Sequence, residues 1–107
     1  MTWVAVGNVG DLSEESAKRV EIDGLPVCLV RSDGELFAIG DTCSHADVSL
    51  SEGEVEHGKV ECWLHGSMFD LRTGKPCGLP ATRPVPVYHV KTEGDTVLVS
   101  VDSPRNV

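Results

Sequence analysis

A chain of 107 residues and 11.5 kDa, with 40% apolar and 24% charged side chains, holds the material for one ordinary domain and excludes two. Nine basic against seventeen acidic residues give a formal charge of -8 and a pI near 4.8. That balance excludes nucleic acid and anionic membrane surfaces as natural partners, since both need clustered Lys and Arg.

Met1 to Gly7 lacks the basic start, long apolar stretch and cleavage site of a signal peptide. The longest apolar run, Leu25 to Val30, falls far short of the roughly 20 residues a membrane helix requires. A cytoplasmic location is therefore expected, and there the four cysteines serve as thiols or metal ligands rather than disulfides. Val9 to Ala17 is the one helical hint, and Asp11 or Ser13 could cap a single turn there. Strands are expected over Arg19 to Ile22, Pro26 to Arg31 and Leu36 to Gly40. Asp23-Gly24 and Asp33-Gly34 join them as tight hairpins, because type I′ turns want positive φ at both central residues. Further strands are expected over Val55 to Glu56, Lys59 to Cys62, Met68 to Leu71, Val85 to Lys91 and Thr96 to Val101. Period-two alternation supports the last two, in Val85, Val87 and His89 and in Val97, Val99 and Val101. Ser103 to Val107 reads as a frayed tail. The expected fold is all-β, an antiparallel sandwich or barrel of short strands carrying one loop-rich segment, Asp41 to Pro84. A rigid β scaffold bearing such a segment usually places its chemistry there.

That segment holds two Cys/His pairs, Cys43-Ser44-His45 and Cys62-Trp63-Leu64-His65, with sixteen residues between His45 and Cys62. Two thiolates and two imidazoles fit one tetrahedral zinc or a two-iron cluster with Cys on one iron and His on the other. Cys-x-His is tighter than an ordinary zinc knuckle. Two loops that each give one Cys to one iron and one His to the other grip a cluster symmetrically, which favours the second arrangement. Gly66 then suits backbone passing close to a bridging sulfide. A Cys/His nucleophile would leave the duplicated pair unexplained.

The motif Cys43-Ser44-His45 through Cys62-Trp63-Leu64-His65-Gly66-Ser67, flanked by hairpins, resembles a Rieske-type [2Fe-2S] ferredoxin over nearly the whole chain. The resemblance implies one Rieske domain over 1–107, with a base scaffold from about 1–40 and 85–102 and a cluster-binding subdomain at about 41–84. It implies that Cys43 and Cys62 hold one iron and His45 and His65 the other. The segment Pro76 to Pro84, with Gly78, Leu79, Pro80 and Ala81 at its centre, is similar to the proline loop that covers the cluster. Imidazole in place of two thiolates leaves the oxidised cluster near neutral instead of doubly negative, which raises the potential into the range of about -150 to +300 mV. High-potential relatives carry an extra disulfide at the positions of Val48 and Leu64, and a Ser and a Tyr hydroxyl toward cluster sulfur. Ser67 matches the Ser, but Phe69 has no hydroxyl. A potential in the lower half of the range is expected, falling as pH rises if the bound imidazoles lose their protons.

Other residues have plainer readings. Cys28 belongs to the core, and Cys77 is packing or a spare thiol. His57 and His89 are surface positions, while Trp3 and Tyr88 belong to the core. Trp63 either shields the cluster or packs on the scaffold. Glu52, Glu54 and Glu56 form the solvated face of a strand. The chain has no Gly-rich dinucleotide motif and no second His/His/carboxylate set. It therefore reads as an electron carrier and not an enzyme. A monomer is expected, and the resemblance implies a carrier that takes electrons from a flavin reductase using NAD(P)H and hands them to a terminal Rieske non-haem iron oxygenase acting on aromatic compounds. The alternatives are a small subunit of a nitrite-reductase-like or iron-sulfur assembly system, and a structural zinc module.

Overall fold

The computed structural model describes residues 2–44, 47–64, 66–78 and 81–106. The first strand, β1 (Val4–Asn8), is followed by a 3-10 turn at Val9–Asp11. Two hairpins come next, from β2 (Ser16–Ile22), β3 (Leu25–Ser32) and β4 (Glu35–Gly40). Both Asp-Gly turns take the conformation expected of them, with φ of 52° and 81° at Asp23 and Gly24 and of 51° and 76° at Asp33 and Gly34. A second 3-10 turn, Leu50–Glu52, precedes a small sheet of β5 (Val55–Glu56), β6 (Lys59–Glu61) and β7 (Met68–Asp70). The chain then returns through β8 (Val87–Glu93) and β9 (Thr96–Ser100).

All the strand pairings are antiparallel, and the six-stranded sheet, in the order β1-β9-β8-β4-β3-β2, curls into a nearly closed barrel. The small sheet runs β5-β6-β7. Central strands β3 and β4 are buried on both faces. Val27, Leu29 and Ala38 point into a cluster with Ile22, Tyr88, Val97 and Val99. Cys28, Val30, Phe37 and Ile39 point the other way, into a cluster with Val60, Phe69, Leu71, Val85 and Val87. Double-sided burial accounts for the apolar run from Val27 to Val30, while Leu25 at the hairpin end of the strand is 43% exposed. It also makes the second cluster the joint between the barrel and the small sheet.

Three expectations need correction. The strand β1 was not anticipated, because a bulge between Ala5 and Gly7 breaks its alternation. Trp3 is half-buried rather than core, with the Lys91 ammonium 4.4 Å from its ring centre. The tail is tied down: Arg105 N–H donates to the Val87 carbonyl at 2.6 Å, and the Asn106 side chain bonds Val87 N–H, Val85 C=O and Thr73 C=O at 3.0, 2.8 and 3.1 Å.

Candidate metal centre

Cys43 and Cys62 sit on two loops with the same closure. Cys43 N–H donates to the Val48 carbonyl at 3.0 Å, and Cys62 N–H donates to the Ser67 carbonyl at 2.7 Å. Each bond spans five residues and turns the chain back on itself directly after a cysteine. The first loop is closed further by Leu50 N–H to Asp41 C=O at 2.6 Å and by a bridge between Thr42 and Ser49. The second joins β6 to β7 and is completed by Gly66 N–H to Cys62 C=O at 2.9 Å. Gly66 has φ of +76°, and a Cβ there would meet no protein atom within 4 Å. The left-handed backbone thus explains this glycine without crowding among protein atoms.

The loops also touch each other. A Cβ on Gly53 would lie 1.7 Å from the Glu61 carbonyl oxygen, so only glycine allows the chain after the second 3-10 turn to cross the strand that delivers Cys62. Both loops reach a third segment. Ser44 Oγ donates to the Arg83 carbonyl at 2.6 Å, and Ser67 Oγ accepts from Ala81 N–H at 3.1 Å.

Cys43 and Cys62 are 4% and 0% exposed and belong to the same apolar cluster, with Leu50, Val60, Phe69 and Ala81 around them. Cys62 is a free thiol. Two soft sulfur donors, buried together on matching loops, suit an iron-sulfur cluster. His45, His65, Leu79 and Pro80 lie outside the described residues. Phe69 is fully buried, paired with Val60 and bridged to Pro76, so the position where a hydroxyl would be needed holds a packed ring. Trp63 and Leu64 are 50% and 43% exposed, so Trp63 does not pack into the scaffold core. Gly78 is exposed, whereas Val48 packs against the cluster that holds the thiols.

The remaining chemistry-bearing residues divide plainly. Cys28 is fully buried, and burial, reinforced by the charge of Asp41, pushes its thiol well above the usual range. Cys77 is exposed, its N–H donating to the Met68 carbonyl at 2.7 Å. Tyr88 is core, and Glu52, Glu54 and Glu56 all face solvent. Sequence reasoning missed two carboxylates. Asp41, 2% exposed, anchors the first loop. Glu15 accepts hydrogen bonds from Ser32 Oγ, Asp33 N–H and His57 N–H, joining the loop before β2 to the β3-β4 and β5-β6 turns. Neither lies in a motif or an apolar period, so composition and spacing carry no sign of them.

The Rieske [2Fe-2S] domain family matches residues 2–89. The ferredoxin component of biphenyl 2,3-dioxygenase from Rhodococcus jostii (strain RHA1) is 44% identical over 102 residues, which is 95% of each chain. Among solved structures, the complex of reduced oxygenase and oxidized ferredoxin in carbazole 1,9a-dioxygenase contains a chain 33% identical with a TM-score of 0.87, covering 92% of both. The terminal oxygenase of carbazole 1,9a-dioxygenase from Nocardioides aromaticivorans IC177 is 30% identical with a TM-score of 0.83. There 96% of this chain matches only 31% of the oxygenase.

Proposed function

The chain belongs to the Rieske [2Fe-2S] domain family, and from that premise we propose that it is the ferredoxin component of an aromatic ring-hydroxylating dioxygenase system. Its cofactor is one Rieske-type [2Fe-2S] cluster. When bound, that cluster accepts and releases a single electron. The observation that carries the reading is the similarity to a dioxygenase ferredoxin component, 44% identical over 95% of both chains, against 30% identity to one part of a terminal oxygenase. The homologues that share this chain's span are ferredoxin components, electron-transfer subunits that serve an oxygenase.

In this reading Cys43 and Cys62 ligate one iron, and His45 and His65 the other. The twin backbone closures present the two thiols from opposite loops, and the apolar cluster behind them keeps water from that side. Ser67 is fixed by accepting from Ala81 N–H, which leaves its own proton to donate elsewhere. The segments 41–84 form the cluster-binding part and the barrel its base. The donor is a flavin-dependent NAD(P)H reductase, the acceptor a terminal oxygenase, and the carrier works as a monomer in the cytoplasm. No helix among the described residues is long and apolar enough to cross a membrane.

Anaerobic purification tests the reading. About two irons and two acid-labile sulfides per chain are expected, with a paramagnetic signal on reduction that is lost in Cys62→Ser and His65→Ala. Mixed with such a reductase and oxygenase, the holoprotein supports turnover that omitting it abolishes. Absence of iron and sulfide from the wild-type chain, or turnover indifferent to its presence, overturns the proposal.

A further inference from the structure

Asp41 is a charged side chain in a place where a charge is costly. It is 2% exposed and stands two residues before Cys43. Its Oδ1 accepts from Ser51 N–H at 2.9 Å, its Oδ2 accepts from Ser49 Oγ, and Arg19 Nε lies 3.4 Å from Oδ2. Its backbone is used as well: Asp41 N–H donates to the Pro26 carbonyl at 3.1 Å, and its carbonyl accepts from Leu50 N–H at 2.6 Å. These bonds fasten residues 49–51 to residue 41 and so clamp the base of the loop bearing Cys43.

A clamp alone needs no charge. Asparagine could accept from Ser51 N–H and donate to Ser49 Oγ, which can reverse its hydroxyl. A buried carboxylate is expensive unless fully compensated. The compensation here is partial: the Arg19 side chain is 49% exposed, and its guanidinium is shared with Glu21 at 3.1 Å. Asp41's charge is felt inside the core, where it adds to the upward push on the Cys28 thiol. Leu50, whose N–H donates to the Asp41 carbonyl, lies in the apolar cluster that also holds Cys28, Cys43 and Cys62, so Asp41 borders the low-dielectric region of the proposed metal site.

We propose that Asp41 is a positioning residue with a second duty: its charge opposes the arrival of an electron at the adjacent centre and holds the reduction potential low, with Arg19 as the partial counterweight. This rests on the iron-sulfur reading above. It adds a cause for low potential independent of the missing hydroxyl at Phe69, because it acts through net charge and not through a hydrogen bond to sulfur. Two like charges within about 10 Å at an effective dielectric near 20 interact strongly enough to move a one-electron equilibrium by about tenfold.

The test is a redox titration of the holoprotein as wild type, Asp41→Asn and Arg19→Gln, with iron and sulfide measured in each. Asp41→Asn is expected to raise the midpoint by about 59 mV, the equivalent of tenfold for one electron. Arg19→Gln is expected to lower it by less, because that guanidinium is partly in solvent. A purely structural clamp would change cluster content or thermal midpoint but would not move the potential in opposite directions for the two variants. If both variants carry the cluster and neither midpoint moves, the inference falls while the iron-sulfur reading stands. If Asp41→Asn fails to retain iron, an Arg19→Gln midpoint equal to or above wild type overturns it on its own. A wild-type chain without iron or sulfide sinks the underlying reading instead.

Discussion

Ser67 and Ala81, fourteen residues apart, are joined by a buried hydrogen bond in which the Ala81 N–H donates to the Ser67 hydroxyl at 3.1 Å. Ser67 is 1% exposed and Ala81 2%. Removing the hydroxyl leaves a buried amide unpaired, which costs about 1–3 kcal/mol. Ser67→Ala should lower the thermal midpoint by several degrees or more, at about 4–8 °C per kcal/mol for a domain of this size. On the proposed reading, in which the Ser67 hydroxyl donates toward the cluster, the reduction potential should fall too. A scanning calorimeter and a redox titration check the two effects separately.

At Gly53 the limit is steric. Alanine would put a carbon 1.7 Å from the Glu61 carbonyl oxygen, and backbone cannot yield as a flexible side chain can. Gly53→Ala should destabilise the fold by about 1–3 kcal/mol through forced backbone displacement. Because Glu61 immediately precedes Cys62, iron content should fall with it. Chemical denaturation and an iron assay measure both.

Asn106 holds three backbone groups of two other segments with one amide. Asn106→Ala should cost about 1–2 kcal/mol, the net worth of a small set of partly buried hydrogen bonds. Amide hydrogen exchange should show the loss concentrated at Val87 N–H, whose partner is removed, with β2 and β3 unaffected. Uniform loss of protection would contradict a local strap.

Glu15 supplies a pH dependence. Hydrogen bonds, from Asp33 N–H first and then from Ser32 Oγ and His57 N–H, hold its carboxyl below the ordinary value of 4.5, outweighing the upward push of desolvation. A carboxylate favoured in the folded state contributes stability above its unfolded pKa, and that stability disappears as pH falls through the lowered folded value. The wild-type thermal midpoint should therefore exceed that of Glu15→Gln at neutral pH. The gap should hold down to about pH 5 and close below it. Paired melting curves from pH 7 to pH 3 decide this.

How much of this was readable beforehand varies with the kind of physics involved. The Asp23-Gly24 and Asp33-Gly34 hairpins were legible because turn chemistry is local. Cys43 and Cys62 stood out because ligand spacing is local as well, and both prove buried in one cluster. Their histidine companions, His45 and His65, fall outside the described residues. The strand β1 was hidden by its bulge between Ala5 and Gly7, which interrupts the alternation a strand is read from. Trp3 misled because a large aromatic suggests a core, whereas here it rests under a lysine. Asn106, Glu15 and Asp41 were invisible for a common reason. Each acts by hydrogen bonds to partners between 8 and 42 residues away, and such polar ties leave no periodic trace in the chain.

The matched closures after Cys43 and Cys62 have a bearing on speed. Backbone amides close each loop directly after its cysteine, and the Gly53 crossing binds the two halves without slack. On the proposed ligation, a centre framed so stiffly would have little room to relax when its charge changes, so little nuclear rearrangement would accompany each hop. For a shuttle that must load and unload repeatedly, that inertia is an advantage.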